Sequence, residues 1–322
     1  MRERWTRVAP VLQIGDAEAA ELIAPALPGA RITAMAPIKG GHSNTNIRLT
    51  LDAAPHALVL RLYQRDPAQA KKEAALSRLV AGKVPAPRFL HLGTRPSNGQ
   101  TYAIVEWVEG ETLLATAKRG DESERAELGH AVGRVLAAIH SFTFDTAGFL
   151  DGALKVTAFP SGMMLSGYLE SCFEGIAGER LGKALVQKVV AFAKHNEHRQ
   201  DIWNKPARLT HFDFGGTNIL VTSDRGLKVA GIVDWEFAAA ASPAADFGNL
   251  LRPPLGTMTS FETGVEAGYR AGGGFLPADW RELTRIADIG AWVEFLTRPT
   301  VSEQVIEDAR SFLNDISSGI TP

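Results

Sequence analysis

One cysteine in 322 residues, Cys172, excludes an intramolecular disulfide and any zinc or iron–sulfur site built from several cysteines, and gives no sign of an oxidising compartment. No stretch approaches the roughly 18 uninterrupted apolar residues that a membrane-spanning helix requires, so no membrane partner is expected. Arg2, Arg4 and Arg7 precede only a short apolar run that soon meets Asp16 and Glu18, which is not the pattern of a secretion signal; a cytoplasmic location is the expectation. The net charge of −2 lacks the basic excess of a general nucleic-acid binder, and no nucleic-acid partner is expected. Internal repeats and low-complexity segments are also absent from the sequence.

What is present is an ordinary globular make-up, 45% hydrophobic and 22% charged, with apolar material for a large core divided between two lobes. Basic residues outnumber acidic ones up to Gly110 and are outnumbered beyond it. A basic N-terminal part suits a polyanion such as a nucleotide, and an acidic C-terminal part suits a cationic acceptor, although solvated faces produce the same imbalance by chance.

Residues 16–27 read as an amphipathic helix with Asp16 as its N-cap, closed by Pro28 and Gly29. Strand-like runs follow at 46–51 and 57–62 around turn chemistry at 52–56, then a helical period over 68–81 ended by Gly82, and further strands at 89–92 and 102–108. Residues 1–110 are therefore expected to form an α+β lobe on an antiparallel sheet, with Gly110 as the hinge, and residues 111–322 a mostly helical lobe. Helical patterns in the second lobe cover 122–140, 163–173 and 181–195. The exception is a hairpin, with runs at 218–222 and 227–233 flanking Ser223, Asp224, Arg225 and Gly226.

His211, Asp213 and Asn218 lead into this hairpin, and Asp234 ends it. That set matches the needs of phosphoryl transfer, whose loose transition state asks for positioning and charge neutralisation more than covalent help. One carboxylate is needed at the acceptor hydroxyl, with two oxygen ligands for Mg2+. The spacing lets a loop present Asp213 while the Asn218 amide reaches a metal, and the returning hairpin brings Asp234 near Asn218. The plain alternative is an Asp and Asn turn before an ordinary hairpin.

The run His211-Phe-Asp213-Phe-Gly-Gly-Thr-Asn218, with Ile232-Val-Asp234-Trp-Glu236 downstream, resembles the catalytic signature of the aminoglycoside phosphotransferase and choline kinase family. The resemblance implies a protein-kinase-like two-lobed α+β fold. It implies Asp213 as catalytic base, Asn218 and Asp234 as Mg2+ ligands, and His211 as the residue that orders the loop. Phe212 between His and Asp, and Asp-Trp-Glu in place of Asp-Phe-Gly, place the chain with the small-molecule branch.

Upstream residues fall in the same order. Gly40, Gly41 and Ser43 match the family's phosphate-covering loop, Arg61 its basic residue on the third strand, and Glu73 the helix glutamate that pairs with it. An arginine inside an apolar strand is costly to bury without a partner, and Glu73 and a nucleotide phosphate would supply one. Arginine here departs from the lysine commoner in kinases. Lys71, Lys72 and Glu73 could equally be a solvated first helical turn. Main-chain groups of Glu106 and Val108 match the linker that bonds the adenine edge, and Asp246 matches an aspartate that braces the catalytic loop.

The resemblance covers about Ile32 to Arg252 and implies an Mg2+-dependent kinase using ATP, with GTP open, on a small-molecule hydroxyl acceptor. Amino alcohols, sugars, amino sugars, aminoglycosides and homoserine-like compounds are all candidate acceptors, and the oligomeric state is left open. The alternative is a catalytically inactive nucleotide-binding regulator. A hydrolase is disfavoured because no Gly-x-Ser-x-Gly elbow occurs. His140 is expected to pack or cap, His195 and His198 lack a third zinc ligand, Gly272 to Gly274 read as a loop, and Trp203, Trp280 and Trp292 read as core, with the lining of an acceptor cleft as the alternative.

Overall fold

The computed structural model describes residues 10–38, 44–160, 164–223 and 226–318. Helix α1 (Asp16–Ile23) leads into strands β1 (Ile32–Pro37), β2 (Thr45–Leu51) and β3 (Ala57–Leu62), helix α2 (Ala68–Val80), and strands β4 (Phe89–Thr94) and β5 (Thr101–Glu106). The five strands make one antiparallel sheet in the order β1-β2-β3-β5-β4. Because side chains alternate along a strand, Ile47, Leu49, Leu51, Leu58, Leu60 and Leu62 share one face and bury it against Leu22 and Ile23 of α1. Val59, Arg61 and Tyr63 fall on the other face, where Arg61 stands opposite Ala103 and Val59 opposite Val105.

The chain continues through β6 (Glu111–Thr112), α3 (Leu113–Arg119), α4 (Glu122–Ile139), β7 (Thr143–Phe144), β8 (Gly148–Leu150), β9 (Val156–Ala158), α5 (Leu165–Phe173), α6 (Ile176–Leu181), α7 (Lys183–Asn196) and α8 (Asp201–Asn204). It ends with β10 (Ala207–Thr210), β11 (Ile219–Thr222), β12 (Lys228–Ile232), β13 (Ala239–Ala241), α9 (Ala244–Leu250), α10 (Thr259–Ala271), α11 (Trp280–Thr297) and α12 (Glu303–Ser317). No helix among the described residues is long and apolar enough to cross a membrane.

Several expectations are corrected. The N-cap of α1 is Gly15 and not Asp16; no side chain caps this helix, and it ends at Ile23, before the segment reaches Leu27. The pattern over 181–195 is broken at Gly182, whose φ of 81° closes α6 and starts α7. The second lobe also holds more sheet than one hairpin. Strand β11 pairs with both β12 and β6 in a three-stranded sheet, and five short strands form another in the order β7-β10-β13-β8-β9.

Helix α4 starts on a capping box, with Asp121 accepting from the Glu124 amide and the Glu124 carboxylate accepting from that of Asp121. Its glycines let α10 approach unusually closely. A Cβ at Gly133 would lie 2.2 Å from the Val265 carbonyl oxygen, and one at Gly268 would lie 2.0 Å from that of His130. Gly133→Ala is therefore expected to lower the unfolding free energy by roughly 1–3 kcal/mol, because backbone and not a flexible side chain must yield. An unchanged urea midpoint would show that the helices part without cost.

Candidate active site

Strand β10 ends at Thr210, and the next residues leave the sheet under tight constraint. Phe212 has a φ of 63°, a conformation that costs a bulky L-residue on the order of 1–3 kcal/mol. The surroundings hold it there. The buried Asp246 carboxylate accepts the backbone N–H of His211 at 2.9 Å and that of Phe212 at 2.8 Å, while Asn249 donates its amide to the Phe212 carbonyl at 3.1 Å.

His140, the C-cap of α4, lies behind Asp246, with Nε2 3.1 Å from its Oδ2 and Nδ1 2.9 Å from the Tyr269 hydroxyl. Burial lowers the His140 pKa, so the ring is held neutral, donating from Nε2 to the carboxylate and accepting from Tyr269. His211 has partners that fix its tautomer. Nε2 faces the Val233 carbonyl at 3.1 Å and must donate, while Nδ1 accepts the Asp213 N–H at 3.3 Å. One imidazole thus ties the loop to the strand end before Asp234.

Asn218 donates Nδ2 to both the Asp213 main-chain oxygen and its carboxylate Oδ2, each at 2.9 Å. Both partners are acceptors, so the amide orientation is settled and Oδ1 is the atom that could serve a cation. The Val233 N–H donates to the Asn218 carbonyl at 3.0 Å, which brings the start of the hairpin beside its return and places Asp234 one residue past the partner of Asn218. Asp234 itself adopts a left-handed conformation, φ 68°, which aspartate tolerates better than most residues.

Across the cleft, one Arg61 terminal nitrogen lies 3.2 Å from Glu73, 3.0 Å from Asp234 and 3.9 Å from Glu236. Lys72 and Glu73 are buried, which rules out the solvated-turn alternative; Lys72 donates to the carbonyls of Glu236 and Ala238 at 2.6 and 3.3 Å. Burial works against the Arg61 charge, but the carboxylates of Glu73, Asp234 and Glu236 together hold its pKa above the ordinary value. Burial pushes the Glu73 carboxyl up to about 7 despite Arg61, and burial with Asp234 raises that of Glu236.

This crowd of carboxylates around one guanidinium is chemistry that a divalent cation would relieve. Among the described residues no group of three or more His, Cys, Asp or Glu forms a metal cluster, so a cation held here by Asn218 and Asp234 would draw its remaining ligands from phosphate and water. Buried Arg61 Nε has no hydrogen-bond partner among the described residues, leaving a donor for an anion.

Glu106 directs its carboxylate to the Arg88 guanidinium and main-chain N–H, and its own N–H to the Arg88 carbonyl at 2.9 Å. Val108 packs against Gly231, where an added Cβ would lie 2.8 Å from the valine side chain. A cavity of about 460 Å³ opens beside this linker between Ser77, Pro85, Glu106, Trp107 and Ala230, away from Asp213. Gly40, Gly41 and Ser43 lie outside the described residues.

Lys72, Glu236 and Asn249 received no site role from the sequence. Glu236 accepts a hydrogen bond from Asn44 at 3.3 Å, and its place two residues after Asp234 was the available signal. Trp203, Trp280 and Trp292 are buried as core.

An antiparallel-sheet lobe carrying Arg61 and Glu73, set against a largely helical lobe carrying the Asp213 loop, defines a two-lobed kinase-like α+β protein. Residues 34–284 match the model of the phosphotransferase enzyme family, and the chain belongs to that family. The match runs past Arg252 into α11.

Solved structures share the fold at low identity. The GDP complex of wild-type aminoglycoside 2′-phosphotransferase-IIIa is 18% identical with a TM-score of 0.70, covering 95% of this chain and 99% of that one. Aminoglycoside phosphotransferase APH(4)-Ia is 17% identical with a TM-score of 0.69, covering 95% and 100%. A thermostable mutant of the latter, in ternary complex with AMP-PNP and hygromycin B, gives 19% identity and a TM-score of 0.66 over 95% and 100%. Comparison with curated protein sequences finds no match.

Proposed function

We propose that this protein is a small-molecule kinase that moves the γ-phosphoryl group of ATP, or of GTP, to a hydroxyl of a small metabolite. The observation that carries this reading is the Asp213 carboxylate, held by the Asn218 amide beside the strand end that delivers Asp234 to the Arg61–Glu73 pair. Nucleotide and aminoglycoside complexes of similarly folded proteins support it.

In this reading Asp213 orients the acceptor hydroxyl and takes its proton as the oxygen attacks the γ-phosphorus and the bond to the nucleoside diphosphate breaks. Asn218 Oδ1 and the Asp234 carboxylate would hold Mg2+, which when bound neutralises phosphate charge. Arg61, oriented by Glu73, would hold phosphate oxygens, Gly40, Gly41 and Ser43 would cover them, and main-chain groups of Glu106 and Val108 would meet the base. His211 keeps the loop in register. We place the division between the lobes at about Gly110, whose φ of 151° and approach to the Val221 carbonyl mark the passage from sheet to helical lobe.

The test is nucleotide consumption with and without Mg2+ and a panel of hydroxylated metabolites. Metal-dependent turnover stimulated by an acceptor is the expected result. Tight nucleotide binding without transfer to any acceptor would instead identify an inactive regulator.

A further inference from the structure

The face from which the Asp213 loop emerges is aromatic. Thr210 of β10 stands opposite Ala239 of β13, which stands opposite Phe149 of β8. Phe212 lies two residues beyond Thr210, and Phe237 two residues before Ala239, so antiparallel pairing brings both out at the same end of the sheet, next to the Phe149 row. All three are exposed, Phe212 by 37%, Phe237 by 49% and Phe149 by 51%. Phe159, at the end of β9, meets Phe149 edge to face with ring centroids 4.8 Å apart.

Two further observations separate this patch from a chance scatter of surface phenylalanines. Phe212 is kept outward in a strained left-handed conformation, clamped at its N–H by Asp246 and at its carbonyl by Asn249, where glycine would fit without strain. Three carboxylates on the same segments are also hydrogen-bonded within the chain. Asp151 accepts the N–H groups of Ala153 and Lys155, Glu236 accepts from Asn44, and Asp246 accepts two backbone N–H groups.

We infer that the acceptor is a hydroxyl compound with an apolar body, aromatic or alkyl, that lies on Phe212, Phe237 and Phe149 while its hydroxyl reaches Asp213. The inference rests on Asp213 being the base. It overrides the weaker indication from the acidic net charge of the C-terminal part, because the charge summed over a lobe says less about a bound molecule than the side chains surrounding it.

The experiment compares primary alcohols of rising apolar area, from ethanol through 1-hexanol to 2-phenylethanol, with glucose, ethanolamine and kanamycin as acceptors. In the wild type kcat/KM is expected to rise by about fourfold per buried methylene. Phe212→Gly relaxes the backbone, so a folding defect is not expected. In Phe212→Gly, Phe237→Ala and Phe149→Ala the acceptor KM should increase by roughly tenfold or more, while the nucleotide KM moves by less than about twofold. Preference for glucose, ethanolamine or kanamycin, with a KM indifferent to all three variants, overturns the inference and leaves the kinase reading standing. A Phe149→Ala variant that sediments differently from the wild type without any change in acceptor KM also overturns it, since the patch is then a subunit contact. Failure of the wild type to transfer to any acceptor overturns the kinase reading itself.

Discussion

Asp213→Asn is expected to bind nucleotide like the wild type and to lose phosphoryl transfer by about 100-fold to 10,000-fold, the usual contribution of a positioned general base. The substitution keeps the shape of the side chain and one carbonyl oxygen that can still accept the Asn218 amide, now held at 2.9 Å by the carboxylate. It removes the capacity to take a proton. Transfer rate at saturating acceptor is the readout, with nucleotide affinity measured separately. Near-wild-type turnover would falsify the assignment of Asp213 as base.

Asp246→Ala should fail in a different manner, by loosening the structure. Its carboxylate, wholly buried, accepts from the N–H groups of His211 and Phe212 and faces His140 Nε2. Alanine leaves these three groups without the partner they now share, at about 1–3 kcal/mol for each buried group left unsatisfied, with water entering the space to offset part of it. We expect a net loss of roughly 3–5 kcal/mol in unfolding free energy and a fall in transfer, because only the Asn249 contact to its carbonyl then holds Phe212 in its left-handed conformation. Chemical denaturation measures the first effect and single-turnover kinetics the second. A variant with wild-type stability would mean that the loop holds its shape without the brace.

These two substitutions separate what was legible from what was not. The loop from His211 to Asn218 and the return to Asp234 could be read because the chemistry lies within one short stretch and one hairpin, where chain order and spacing limit the geometry. The family resemblance pointed to Glu73 as the partner of Arg61, and a guanidinium in an apolar strand demands some partner, but spacing alone left a solvated helical turn open. The third carboxylate around that guanidinium, Glu236, was not assigned a role, because its meeting with Arg61 and Asn44 depends on how the two lobes close.

The strands β7, β8, β9 and β13 escaped notice for a related reason. At two or three residues each they are too short to show a period of two, and their partners lie far away along the chain. The break at Gly182 was missed because apolar residues continue at helical spacing on both sides of it. The aromatic patch could not be foreseen at all. Phe149, Phe159, Phe212 and Phe237 have nothing in common in sequence until β8, β10 and β13 are laid side by side.

By itself the sequence determined the fold class, the order of the elements in the first lobe apart from β1, and the small set of polar residues from which the candidate site is built, because local periodicity and spacing are properties of neighbouring residues. Only the tertiary structure decided which carboxylates share Arg61, that Asp246 and Asn249 clamp the strained Phe212, and that the face beside Asp213 is aromatic. Those facts depend on contacts between segments distant in the chain, and no short-range pattern encodes them.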